Sequence, residues 1–205
     1  LKLEWVSSFV RSLFLIGALM IIGLYHLVLY AQRQEDKVSL AFCFFCAAMA
    51  LYETIMSNLP QHLGWGQSSQ GFQIIQTIDY LNVPLMIISA TIFILRMFPS
   101  RLYYLIYLLI LAAGVSLSAF TLLMPTLTFS KYLILYETYI IVASLIAIIH
   151  VGIQAFYKNI KAQWMLVSLC LIVLGAINDI LHGNGVIETG YYATYTFLGF
   201  VMLQS

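Results

Sequence analysis

The residues best equipped for chemistry in this chain are Asn178, Asp179 and His182. They sit within little more than one helical turn, near the end of an apolar stretch, 166–189 (LVSLCLIVLGAINDILHGNGVIET). An ionised carboxylate in such surroundings is costly unless it finds a partner, a wet cavity or a proton. Asp179 and His182 are three residues apart and therefore share a helix face. At 100° per residue, Ser168 and Gly175 fall on that same face. The other acids embedded in or bordering apolar sequence are Glu53, Asp79 and Glu137. Asn82 follows Asp79 by one turn, and Arg11 opens the first apolar run. Carboxylates, amides, an imidazole and a guanidinium can hold a small polar ligand, pass a proton or, in part, ligate a metal.

Such groups need a scaffold, and the composition indicates which. The chain is 62% hydrophobic and 8% charged, against about 25% charged residues in a soluble domain. It is therefore expected to be an integral membrane protein. A net charge of +1 argues against nucleic acid as a partner. A membrane-crossing helix takes roughly 20 mostly apolar residues. Seven stretches satisfy this, at approximately 9–31, 38–56, 78–98, 102–124, 132–156, 162–181 and 191–205. The last is short because the sequence stops there. The expected fold is all-α, a seven-helix membrane bundle forming one domain over 1–205. The ends at Leu1 and Ser205 look cut, as for the membrane domain of a longer protein, and 13–30 is too long for a signal peptide and lacks a cleavage site.

Local signals refine this scaffold. The long connection 57–77 carries Pro60, Gly64, Gly66 and Gly71, which predict broken helix, and Trp65, which predicts an interface anchor. Pro84 predicts a kink in the third span. Gly17, Gly23, Ala47, Ala48 and Ala50 predict close helix approach. Tyr132, Tyr136 and Tyr139 share one face, read as packing plus interface anchoring. Cys43, Cys46 and Cys170 read as small buried hydrophobes; the first two have a metal-pair spacing but no second pair.

Lys and Arg in short loops orient a membrane protein. Arg33, Lys37, Arg96, Arg101, Lys158 and Lys161 fall on one side; Lys2, Arg11 and Lys131 fall on the other. The first side is expected to be cytoplasmic, with the amino end outside and the carboxyl end inside. On that orientation Glu53, Asp79, Asn82, Glu137, Asn178 and Asp179 lie in the outer half, with Arg11 at the same level. Asp79, Asn82, Met86 and Ser89 form one helical stripe. Cys46 and Glu53 nearly superpose, as do Glu137 and Ser144. Two readings stand side by side. In one, Arg11, Glu53, Asp79, Asn82, Glu137, Asn178, Asp179 and His182 line an outer cavity that binds a small ligand. In the other, polar side chains bridge helices, at about 0.6–2 kcal/mol each, and shallow acids simply reach water.

Tyr25 and His26, in the inner half of the first span, are either packing residues or contacts that relay outside events inward. Asp179, His182, His62, Glu53 and Asp79 carry atoms suited to zinc, but HExxH and the two-histidine turn are absent. No metal and no cofactor are assigned. There is no GxSxG motif, phosphate loop or Ser/His/Asp set, so no catalytic residue is assigned. No lysine inside the spans could carry a retinal Schiff base.

The stretch LIGALMIIGLYHLVLYAQRQEDKVSLAFCFFCAAMALYE resembles the bacterial seven-transmembrane receptors with diverse intracellular signalling modules. The residues that carry the likeness are Gly17, Tyr25, His26, Leu29, Tyr30, Arg33, Asp36, Phe42 and Phe45. INDILHGNGVIETGYYATYTFLGFVMLQS is similar to the family's Asn-Asp turn and closing Gln-Ser, here Asn178, Asp179, Gln204 and Ser205. The resemblance covers nearly the whole chain. It implies a multi-pass receptor of the inner membrane, not an enzyme in this domain. An extracytoplasmic sensor domain would precede the spans and a cytoplasmic effector would follow them in the same polypeptide. Expected partners are the lipid bilayer, an unidentified small ligand and, in a homodimer, a second copy. A small-solute or proton transporter, which needs polar stripes through the whole bundle, is the alternative. A zinc-dependent membrane hydrolase is a third, and metal content would separate it.

Overall fold

The computed structural model describes residues 2–65 and 67–204. Leu1, Gly66 and Ser205 lie outside the described residues, as do the side chains of 2–8 and of Gln204. Three expectations fall there: the Lys2 charge, the Gly66 break and the closing Gln-Ser pair.

Every regular element among the described residues is helical. In chain order they are α1 (Lys2–Gln32), α2 (Lys37–Met56), α3 (Leu59–His62), α4 (Ser69–Met97), α5 (Arg101–Leu123) and α6 (Thr126–Phe129). A 3-10 turn (Ser130–Tyr132), α7 (Leu133–Phe156), α8 (Ile160–Gly183) and α9 (Ala193–Gln204) follow. Six stretches are long and apolar enough to cross a bilayer: Phe9–Gln32, Lys37–Met56, Ser69–Met97, Arg101–Leu123, Thr126–Phe156 and Ile160–Gly183. This is a multi-pass membrane protein. The 12 residues of α9 reach about 18 Å, short of the roughly 30 Å hydrocarbon core.

Helix starts follow local chemistry. Asp36 caps α2, accepting from the Ser39 backbone N–H at 3.1 Å and from its hydroxyl at 2.7 Å. These two bonds hold the Asp36 carboxyl below the ordinary aspartate value. Ser68 caps α4 by accepting from Gly71 N–H at 3.0 Å, and Asn159 caps α8 by accepting from Ala162 N–H at 3.3 Å.

The Ser68 cap corrects the sequence reading of 57–77. The third long helix starts at Ser69 rather than near 78, and Gly71 lies inside it. Glycine serves packing there, because a Cβ would collide with the Trp65 carbonyl. α4 also continues through Pro84, whose missing N–H leaves the Tyr80 carbonyl without its helical partner. Two further expectations are corrected. Cys170 is exposed and Cys43 half-buried, leaving only Cys46 fully buried. A Cβ added at Gly17 would meet nothing within 4 Å among the described residues and Ala47 faces outward, whereas Gly23 does sit at a helix contact.

The chain divides within α7 into two compact units, Leu1–Ile140 and Ile141–Ser205. In the first, α1 packs on α2, α2 on α4 and α4 on α5. Tyr136 and Tyr139 of α7 are buried there. Tyr136 pairs with the Thr121 hydroxyl at 2.6 Å, and Tyr139 donates to the Ile110 carbonyl at 3.1 Å. Tyr132, on the same face, is 48% exposed, so the stripe packs at one end and reaches outward at the other. In the second unit α8 packs on α9, and Gln163 donates to the Ala155 carbonyl of α7 at 3.4 Å.

Candidate functional site

In the first unit, two contacts set the register of the helices. Asn82 of α4 donates to the Ala48 carbonyl of α2 at 2.9 Å. A Cβ at Gly23 of α1 would meet Cys46 of α2 at 3.3 Å. Glu53 lies five residues beyond Ala48, about 7.5 Å, and Asp79 three residues from Asn82 in the same direction, about 4.5 Å. The two acids therefore stand within about 3 Å of one level. Arg11 lies toward the same end, about 18 Å along α1 from Gly23. Tyr80 lies within electrostatic reach of Asp79, Tyr136 and Glu137. So Glu53, Asp79 and Glu137 share one end of this unit. Asn82 lies deeper, opposite the middle of α2, because α4 begins about nine residues earlier than the sequence suggested.

Burial distinguishes these groups. Glu53 is only 6% exposed, yet its carboxylate has no hydrogen bond or ion pair among the described residues. Asn82 is 2% exposed, and its Oδ1 has no partner among the described residues. Asp79 and Glu137 are half-buried, and Arg11 is exposed. Of the stripe on α4, Asn82 and Ser89 are buried while Met86 is half-buried. At the same end, a cavity of about 520 Å³ opens between α2, the 57–68 connection and α4. Thr54, Ser68 and Gln70 give it polar edges, and Trp65, Ile74 and Ile78 are among its other walls. Glu53 and Asp79 do not line it, although their chain neighbours Thr54 and Ile78 do.

In the second unit, the polar cluster has a different geometry. Asp179 is 7% exposed. One carboxylate oxygen accepts from Tyr192 N–H at 2.6 Å and the other from Ala193 N–H at 3.0 Å. Both donors belong to the entry of α9, where the first turn leaves N–H groups unpaired and favours negative charge. Asn178 donates to the Gly190 carbonyl at 2.6 Å and accepts from the Thr189 hydroxyl at 2.8 Å. His182 Nδ1 lies 3.3 Å from the Ile187 carbonyl, and its ring meets Tyr191 edge-on with centroids 4.8 Å apart. All three side chains thus clasp the 184–192 connection to α8. The expected shared face holds: Ser168, Gly175 and Asp179 are buried, and His182 is half-buried. Gly175 is where α9 comes closest, since a Cβ there would collide with Thr196 Oγ1.

His26 links three helices through rings. It meets Tyr25 at 5.4 Å and Phe42 of α2 at 4.5 Å, and Phe42 meets Phe93 of α4 at 5.2 Å. His26 Nδ1 is buried without a hydrogen-bond partner among the described residues. Tyr25 is 60% exposed. Among the described residues no three His, Cys, Asp or Glu side chains gather as ligands for a metal ion.

A family model described as 7TM diverse intracellular signalling matches residues 9–205. The chain belongs to that family. No curated protein and no solved structure matches it. As a 7TM signalling domain it is a membrane receptor module, and both stretches that carried the resemblance lie within the match.

Sequence reasoning about this 7TM signalling domain missed three features. Tyr80 was not singled out as the group facing two acids. Asp179 was not recognised as the cap of α9, because its donors lie 13 and 14 residues away, beyond any capping pattern. Lys37 and Arg96 counted only toward orientation, although both line one groove. Their places at facing helix ends were the available signal.

Proposed function

We propose that this domain senses an extracytoplasmic ligand, or the movement of an outer domain of the same polypeptide, and relays it to a cytoplasmic effector. The proposed topology has seven spans, α9 supplying the last, in a bacterial inner membrane with the amino end outside. The Glu53 end of the first unit then faces the extracytoplasmic side. Its buried carboxylate, without a hydrogen bond or ion pair among the described residues, supports a polar sensing site together with Asp79, Glu137 and Arg11 toward the same end. The ring series Tyr25, His26, Phe42 and Phe93 supports a route inward.

The single observation that carries the relay is the Asp179 clasp. A carboxylate on α8 holds the first free N–H groups of α9, so a displacement of the α8 end is handed to the helix that leads toward the effector. A ligand shifts such a balance only by its differential affinity for two arrangements.

The test is Asp179→Asn and, separately, Glu53→Gln in the full-length receptor, reading effector output against membrane expression. Asparagine offers one acceptor oxygen where the carboxylate offers two. A charged hydrogen bond contributes about 1.5–3 kcal/mol, a factor of roughly 10–100 in a two-state balance. Asp179→Asn is expected to shift basal output in that range, and Glu53→Gln to blunt the stimulated response. Unchanged output from both at normal expression would remove the proposal.

A further inference from the structure

A groove of about 540 Å³ runs between α2 and α4 in the first unit, within the 300–1,000 Å³ typical of small-ligand sites. Its walls are apolar. Phe44 and Leu85 stand 61% and 51% exposed at the rim, and Ala47, Leu51, Ile88 and Ile92 line it further. The polar exceptions in the wall are Asn82, whose Nδ2 is spent on Ala48, and Ser89, whose hydroxyl donates to the Met86 carbonyl at 2.8 Å. At one end the groove is bounded by Tyr30, Lys37 and Arg96. Among the described residues neither cation has an ion-pair partner. Asp36, the sequence neighbour of Lys37, is turned to Ser39 as the α2 cap. Arg96 also borders a second cavity of about 530 Å³ with Ser100, Arg101 and Tyr104 at the α4–α5 turn. The same membrane edge thus carries three cations facing concave surface.

The axial length matches one kind of occupant. Lys37 to Leu51 is about 21 Å along α2, more than the roughly 15 Å hydrocarbon depth of one leaflet. A chain anchored at the cations would lie in the groove over its whole length. A soluble anion would leave the apolar walls unused, and a neutral lipid would leave the cations unpaired. Basic pockets between membrane helices are suited to lipid phosphate groups.

We infer that the α2–α4 groove is a binding site for an anionic phospholipid, its phosphate held by Lys37 and Arg96 with Tyr30, and one acyl chain laid along Phe44, Ala47 and Leu85. The phosphate end of the site, at Lys37, stands about 24 Å along α2 from Glu53, so the inference does not rest on the sensing proposal.

The test uses the full-length receptor, purified in detergent and titrated separately with dioleoyl phosphatidylglycerol, dioleoyl phosphatidylcholine and glycerol 3-phosphate, with bound lipid counted by native mass spectrometry. The wild type is expected to hold one phosphatidylglycerol at least tenfold more tightly than phosphatidylcholine, as two cations near a phosphate imply. Glycerol 3-phosphate should not displace it. Lys37→Gln with Arg96→Gln should abolish the preference, and Ala47→Phe, which fills the groove from an exposed position, should remove the bound lipid. Equal retention of both lipids by the wild type would overturn the inference. So would a preference that survives the double substitution, or displacement by glycerol 3-phosphate. If the double variant loses its thermal transition, Ala47→Phe decides alone: undiminished phosphatidylglycerol retention in it overturns the site, and loss upholds it.

Discussion

Asn82 of α4 reaches across to the Ala48 carbonyl of α2 at 2.9 Å while its own Oδ1 has no donor among the described residues. Half of one side chain ties two helices together, and the other half stands unsatisfied opposite the middle of α2.

That imbalance sets the expected effect of Asn82→Leu. Losing an interhelical bond in a membrane costs about 0.6–1.7 kcal/mol. Removing an unsatisfied buried acceptor returns about 1–3 kcal/mol. The leucine variant should therefore be at least as stable as the wild type when unfolded by SDS titration from mixed micelles. A loss above about 2 kcal/mol would mean that Oδ1 has a partner after all. A buried polar residue that does not stabilise the fold is a candidate for function, so effector output should change where stability does not.

Gly175→Ala tests the closest approach of α8 and α9. The new Cβ would run into Thr196 Oγ1 and come 3.1 Å from the Ala193 Cα. Overpacking of this kind costs about 1–3 kcal/mol. Thermal unfolding should show that loss, and Thr196→Ala added to it should restore part, because the backbone contact at Ala193 remains.

Asp36 makes a pH-dependent contribution. Its carboxyl is held below the ordinary value by the Ser39 bonds, so the charged form favours the folded chain. The contribution is complete above the unfolded aspartate value and fades as pH falls through the lower folded value, a window beginning below about pH 4. Asp36→Ala should lower stability at pH 7 by about 0.5–2 kcal/mol. Melting curves of variant and wild type should converge as the pH is taken down through that window.

The Tyr136–Thr121 pair, 2.6 Å apart and buried, suits a double-mutant cycle. Tyr136→Phe leaves Thr121 still donating to the Leu117 carbonyl at 2.9 Å, so each single substitution should cost about 0.5–1.5 kcal/mol. The double variant should fall short of their sum by about 1 kcal/mol. Additive losses would mean that the two hydroxyls do not interact.

How much of this could be read from residues alone depended on the range of the interaction. Apolar length located the six long spanning stretches, and helical spacing put Ser168, Gly175 and Asp179 on a buried face. The start of α4 was misplaced because glycine was read as a breaker, when the Trp65 carbonyl leaves no room for a side chain at Gly71. The Asp179 clasp was invisible because its partners are backbone N–H groups, which every residue but proline carries and no spacing marks. Asn82 was legible as polar, but its depth depended on a helix boundary that composition does not fix. The α2–α4 groove required both helices in register before Lys37 and Arg96 could be seen to share it.

The length of α4 has one more consequence. Its 29 residues make a rod of about 43 Å, and the hydrocarbon core takes about 30 Å of it. The first turns, which carry Gln70, Gln73, Gln76 and Thr77, are the more polar end of that rod, fastened lower down to α2 through Asn82. Torque applied there is carried as a tilt instead of being absorbed by slack chain. A helix longer than the hydrocarbon core is thick accommodates by tilting, at fractions of a kcal/mol per Å of mismatch, so the tilt of α4 is expected to fall as the bilayer thickens.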